Sequence, residues 1–106
     1  MKLTDKICVP CQEGTPPLGA KEINKFIKQL PKGWKVIENK KIRKEFKFKS
    51  YPEAIAFVNK AALIAQEEGH HPDMDVHYSR VNVELWTHKI NGLSENDFIL
   101  AAKIDN

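Results

Sequence analysis

Apolar residues recur in two rhythms along this chain, and each change of rhythm marks an element boundary. From Leu18 the spacing is helical: Ile23, Phe26, Ile27 and Leu30 follow i, i+3, i+4, i+7 and make one stripe. Pro31 and Gly33 stop that helix. Trp34–Ile37 and Ile42–Phe48 then flank a polar turn around Asn39-Lys40, which predicts a β-hairpin. Ser50-Tyr51-Pro52-Glu53 is a capping box with proline in the first turn, so a second helix starts there and runs to Glu68. Its apolar face reads Ala54, Ile55, Phe57, Val58, Ala61, Ala62, Ile64 and Ala65, and Gly69 follows where a left-handed residue closes a helix. Asp73 and Asp75 read as turn residues. Val76-Tyr78 and Val81-Val83-Leu85 alternate, predicting a second hairpin that turns near Ser79-Arg80. After Gly92, Ser94-Glu95-Asn96-Asp97 caps a last helix with Phe98, Ile99, Ala102 and Ile104 on its core side.

The order α-β-β-α-β-β-α predicts an α+β domain: a four-stranded antiparallel sheet with three helices on one face, the other face open to water or to a second subunit. Residues 1–17, with Pro10, Pro16 and Pro17, read as an extended N-terminal arm, and residues 18–106 as a single domain. A chain of 106 residues suffices for one hydrophobic core. No apolar run approaches membrane-spanning length, and Met1–Pro10 lacks the apolar stretch of a secretory signal, so a cytoplasmic location is expected.

Charge changes this picture little. The formal charge is +3, and much of the excess lies between Lys40 and Lys49. Ile42, Lys44, Phe46 and Phe48 share one parity there, while Lys41, Arg43, Lys47 and Lys49 mostly fill the other, as in a strand with one solvated face. A charge this small does not imply a nucleic-acid partner, and none is expected. Cys8 and Cys11, in Cys-Val-Pro-Cys, have a spacing that can share a metal or close a redox disulfide. Structural zinc normally takes four ligands and there is no second cysteine pair. The two thiols therefore read as incidental residues of a frayed arm.

The histidines change it more. His70, His71, His77 and His88 all fall within nineteen residues. Histidine changes protonation near neutral pH without special tuning, so a cluster points to a site where a scatter would not. Pro72 pushes His71 into an extended conformation, and successive extended side chains diverge, so His70 and His71 can present one ring inward and one aside. His88 closes the strand that carries Val81, Val83 and Leu85. Taken singly, these residues have plainer readings: His70 as a helix cap, His77 as an exposed strand residue, His88 as surface, Asp97 as the third residue of its own capping box. Zinc is the rival chemistry, because three imidazoles can hold it. No His-x-x-x-His lies on a helix, and adjacent histidines share one ion with difficulty, so no metal is expected.

Glu67-Glu68-Gly69-His70-His71-Pro72-Asp73, then Tyr78, Thr87-His88 and Gly92-Leu93-Ser94-Glu95-Asn96-Asp97, together resemble the signature of the pterin-4a-carbinolamine dehydratases. The spacing carries the likeness: an aromatic six residues after Pro72, a third histidine seventeen after His71, and an aspartate nine beyond that. It extends over residues 18–105 and includes Gly33-Trp34. The family's fold has the same α-β-β-α-β-β-α order. One position departs from its pattern: Gln66 stands where an ionisable residue, often Glu, is usual.

The resemblance implies a hydro-lyase that removes water from a 4a-hydroxytetrahydropterin by histidine acid–base catalysis, with no cofactor. The roles expected for that reaction are His71 as the main acid–base residue, His88 as the group that protonates the departing hydroxyl, and His70 as the residue that positions the ring or serves one stereoisomer. Trp34 and Tyr78 are candidates for apolar surface beside the pterin, with core packing an equal alternative. Asp97 is a candidate for orienting His88 or the helix start. The partners implied are the pterin, a homodimer or homotetramer, and a functional link to an aromatic amino-acid hydroxylase whose spent cofactor is recycled. The alternative is a protein-interaction module with secondary or vestigial activity, because the family includes members that bind a transcription factor. Ile55, Val58 and Ala62 are candidates for such a face. Three correctly spaced histidines favour the enzyme, since a pure binding module has no use for them.

Overall fold

The helical stripes and alternating runs become three helices and four strands in a computed structural model that describes residues 2–10 and 12–106. The helices are α1 (Ala20–Ile27), α2 (Tyr51–Glu68) and α3 (Glu95–Ile104). The strands are β1 (Lys35–Ile37), β2 (Lys41–Lys47), β3 (Asp73–Val76) and β4 (Arg80–Leu85). They form one antiparallel sheet in the order β1-β2-β4-β3. This is the α+β architecture expected from the sequence, with the helices on one face. Among the described residues, no helix is long and apolar enough to cross a membrane.

Strand parity decides which face is covered. Ile42 on β2 and Val81, Val83 and Leu85 on β4 are fully buried and share one core with Phe98 and Leu100 of α3. Complete burial of such a side chain stabilises the fold by about 1.5–3 kcal/mol. Aromatic rings extend this core: Phe26 stacks on Phe98 at 5.3 Å, and Phe46 meets Phe57 at 4.5 Å. On the other face, Arg43 and Lys41 reach Glu84, and Arg80 reaches Glu45, at 3.1–3.7 Å. Thus the basic stretch is largely a set of cross-strand ion pairs. Lys44 has the inward parity, and its Nζ is neutralised by Asp105 Oδ2 at 2.6 Å.

Local signals explain the boundaries. The Ser50 hydroxyl accepts a hydrogen bond from the Glu53 N–H at 3.3 Å, and Gly69 closes α2 with φ +67°. Gly92 is needed for a different reason, since a Cβ there would stand 2.7 Å from Pro17. Several expectations shift. The first hairpin turns at Glu38 and Asn39, which both take positive φ (53° and 57°), one residue earlier than expected. Asp73 and Asp75 are strand residues of β3, because Asp-Met-Asp-Val already alternates polar and apolar side chains. His77, expected in a strand, lies in the turn and bonds Asp75 Oδ2 at 3.1 Å. Ala62, assigned to the apolar face of α2, is exposed beside Leu63.

The segment before α1 is not frayed over its described part. Leu3 is only 3% exposed and belongs to the core, and Leu3–Asp5 form a 3-10 turn packed against α3. Cys8 is half-buried, while Cys11 lies outside the described residues.

Candidate active site

The end of α2 and the end of β4 arrive at the same corner of the molecule. Gly69 turns the chain out of α2, and His70 and His71 follow it outside any regular element, ahead of Pro72. Beyond β4, Thr87 and Gly92 form an isolated bridge that pinches off the 3-10 turn His88–Ile90. Asn91 makes this tight turn possible with φ +51°. His70, His71 and His88 thereby line one cavity of about 390 Å³, together with Trp86 and Thr87. That volume lies in the range of small-ligand sites.

Each ring is held differently. His70 Nε2 bonds Asp97 Oδ1 at 2.6 Å, and the Asp97 side chain is entirely buried. The second carboxylate oxygen of Asp97 accepts from the Thr87 hydroxyl at 2.8 Å and from the Ser94 N–H at 3.0 Å. Thr87 has one hydroxyl proton and gives it to Asp97, so the Ser94 hydroxyl, 2.7 Å away, donates to Thr87. A carboxylate accepts only, which places a hydrogen on His70 Nε2 and leaves Nδ1 to act as base or acid. Hence Asp97, expected to orient His88 or the helix start, orients His70 and caps α3 with the same group.

His71 is exposed, and its Nε2 lies 3.0 Å from Gln66 Oε1. The amide oxygen accepts, so Nε2 of His71 also carries a hydrogen. Gln66 therefore orients the ring by hydrogen bonding in place of charge. His88 lies against Trp86 with centroids 3.9 Å apart and planes tilted by 30°. Trp86 in turn is fixed by a bond from its Nε1 to Asp73 at 3.3 Å and by the Lys41 ammonium 5.0 Å above its ring.

In the cavity wall, Glu68 accepts from Lys103 Nζ at 2.7 Å and from the Cys8 N–H at 2.9 Å. The Lys103 hydrogen bond holds the Glu68 carboxyl below the usual carboxylate range. Burial, with the Glu68 charge beside it, pushes the Cys8 thiol up to about 12. A thiol so placed is a poor nucleophile at neutral pH. Among the described residues, no three His, Cys, Asp or Glu side chains are grouped to hold a metal ion.

Two of the candidates lie elsewhere. Trp34 is in the core, its Nε1 donating to Asp105 at 2.9 Å and its ring edge-on to Phe46. Tyr78 is 74% exposed in the β3–β4 turn and stacks on Tyr51. Neither lines the cavity with the histidines, and core packing is the correct reading for Trp34. Sequence reasoning passed over Trp86, Thr87 and Asn96 as site residues. Thr87 and Asn96 carry a usable signal, since both fall inside the spaced signature, in Thr87-His88 and in Gly92–Asp97. Trp86 carries one too, as an aromatic directly before the Thr87-His88 pair of the signature.

Comparison with known proteins follows the same lines. Residues 16–106 match the family described as pterin 4 alpha carbinolamine dehydratase. A protein of Alkaliphilus metalliredigens, provisionally named pterin-4-alpha-carbinolamine dehydratase, is 50% identical over 97% of this chain and 93% of its own. One of Nitrosomonas europaea with the same provisional name is 52% identical over 97% and 90%. The crystal structure of a transcriptional coactivator/pterin dehydratase from Brucella melitensis superposes with a TM-score of 0.77 at 37% identity, covering 83% of this chain and 94% of that one. A pterin dehydratase-like protein identified as a RuBisCO assembly factor in the alpha-carboxysome gives 0.59 at 27% identity, covering 69% and 86%.

Proposed function

This chain belongs to the pterin-4a-carbinolamine dehydratase family of hydro-lyases, and we propose that its three cavity histidines carry the dehydration by general acid–base catalysis. The substrate is a tetrahydropterin bearing a hydroxyl at C4a. One group delivers a proton to that hydroxyl, which leaves as water as the C4a–O bond breaks. Another takes the proton from ring nitrogen N5, and the product is a quinonoid dihydropterin. Each proton transfer to a positioned group is worth roughly 10²–10⁴-fold.

His71 is the main acid–base residue and His88 protonates the departing hydroxyl, while His70, locked by Asp97, positions the ring. The single observation that carries this reading is the convergence of His70, His71 and His88 on one cavity. The physiological role is recycling of a tetrahydropterin spent by an aromatic amino-acid hydroxylase, in the cytoplasm. Residues 18–106 act as one catalytic domain, preceded by the arm. Self-association into a dimer or tetramer is favoured by Leu63, an apolar side chain left 67% exposed on α2 next to Ala62.

The test is the absorbance decay of chemically generated 4a-hydroxytetrahydropterin. Wild-type protein accelerates it, and His71→Ala loses most of the acceleration while unfolding at the same urea concentration. Decay equally fast with His71→Ala would remove His71 from the mechanism.

A further inference from the structure

The family match begins at residue 16, yet the cavity is completed by residues that precede it. Cys8, Val9 and Pro10 stand in its lining beside the three histidines. Such a stretch has neither helix nor strand of its own, so something else must hold it. Leu3 anchors one end in the core, and Lys6 pairs with Glu95 on α3. The Cys8 N–H is taken by Glu68, the last residue of α2. Asn96 grips Val9 from both sides: its Oδ1 accepts from the Val9 N–H at 3.0 Å, and its Nδ2 donates to the Val9 carbonyl. A side-chain amide used this way replaces a neighbouring strand and fixes both the position and the rotation of that peptide.

These supports are shared with the catalytic network. Asn96 is the neighbour of Asp97, which holds His70, and Glu68 is two residues before His70. The arm is therefore in register with the histidines and not merely near them. Val9, meanwhile, is 60% exposed although its backbone is fixed on both sides. An apolar side chain clamped in place at a cavity and left uncovered suits contact with a flat, largely apolar ligand face.

We propose that Cys8–Pro10 form a substrate-contacting wall of the active site, with Val9 touching the bound pterin and Asn96 acting as the positioning residue that holds the wall. The proposal rests on the dehydratase reading. Ground-state contacts made equally in the transition state alter KM and leave kcat. The arm belongs to this class, because none of its side chains supplies a proton near neutral pH.

The experiment compares wild type with Val9→Asp, Asn96→Ala and Asn96→Asp in the carbinolamine decay assay, extracting kcat and KM separately. Val9→Asp, at an exposed position, raises KM by about tenfold, equivalent to roughly 1.4 kcal/mol, with kcat within a few-fold. Asn96→Ala does the same and also speeds alkylation of Cys8, measured in a Cys11→Ser background. Asn96→Asp keeps the acceptor for the Val9 N–H but loses the donor, and falls between. Active wild type with KM unchanged in Val9→Asp overturns the wall, whatever the Asn96 variants do. A fall in kcat alone for Asn96→Ala overturns its positioning role and assigns the residue to the Asp97 network. Wild-type protein that leaves the decay unaccelerated overturns the dehydratase reading itself, and this one with it.

Discussion

His70 and His71 are neighbours in the chain and opposites in their surroundings. The side chain of His70 is 14% exposed and bonds a carboxylate with no exposure at all. His71 is exposed and bonds an exposed amide on the outer side of α2. The first arrangement stabilises one ring orientation through a chain of four groups reaching from α2 to β4 and α3. The second leaves the ring in contact with water, where protons are exchanged. A dehydratase needs both, because a substrate must be placed before a proton can be usefully delivered. The difference arises from Gly69 and Pro72, which force two consecutive residues out of the helix pointing different ways.

Removing the buried half of this contrast has the largest expected effect. Asp97→Ala leaves His70, the Thr87 hydroxyl and the Ser94 N–H without their acceptor, at a side chain that has no exposure of its own. Breaking a buried charged network in this way costs about 3–5 kcal/mol. Urea denaturation then shows a lower midpoint by one to several molar, given slopes of roughly 1–3 kcal/mol/M. A loss below about 1 kcal/mol would mean that the network is not what holds α3 to the catalytic corner. Thr87→Val is the milder version. It keeps the shape but leaves the Ser94 hydroxyl and one Asp97 oxygen short of a partner, costing about 1–3 kcal/mol. The same measurement on His71→Ala shows a change within about 0.5 kcal/mol, as for exposed residues without special contacts.

How much of this contrast was legible in the sequence depends on the range of the interactions. Ser50, Pro52 and Gly69 act within one helical turn, and α2 has the expected ends. Alternation is equally local, which is why both hairpins were foreseen. The histidine set was visible through spacing, and so was the role of Asp97 at the start of α3, but nothing local distinguishes His70 from His88 as the ring it meets. For Trp34 the sequence leaves pterin contact and core packing as equal alternatives, because the partner that holds it in the core, Asp105, lies seventy-one residues away. The arm was the least legible part. Its order comes from Leu3 entering a distant core and from Asn96 and Glu68 reaching back to backbone groups, and no periodicity announces such contacts.

The last turn of α2 repeats the contrast at lower energy. Glu68 faces inward to Lys103 and the arm, and its carboxyl is held below the usual value of 4.5 chiefly by the Lys103 hydrogen bond. A depressed carboxylate contributes stability that is fully present above its unfolded pKa and is lost as pH falls through the lower folded value. Wild type should therefore lose stability faster than Glu68→Gln as pH drops below 4.5, so that the two stability curves converge in acid. Parallel curves from pH 7 into that range would show that the Lys103 pair contributes nothing to folding.

Gln66, two residues earlier on the outward side, offers the finest test, because it changes charge beside His71 without changing burial. Gln66→Glu preserves an acceptor for His71 Nε2, so the ring keeps its orientation. What it adds is a negative charge at about hydrogen-bond distance, which favours the protonated imidazole. Electrostatically His71 then resembles His70, while remaining in water. Folding stability should change by no more than about 0.5 kcal/mol. The pH–rate profile of dehydration, in contrast, should move to higher pH by up to about one unit at low salt, and by less as salt screens the pair. A profile that shifts in this manner assigns the limb to His71 and shows that its exposed setting, not its identity alone, tunes the reaction. A profile that stays in place at every ionic strength assigns the limb to another group, and the locked His70 would then become the principal proton carrier.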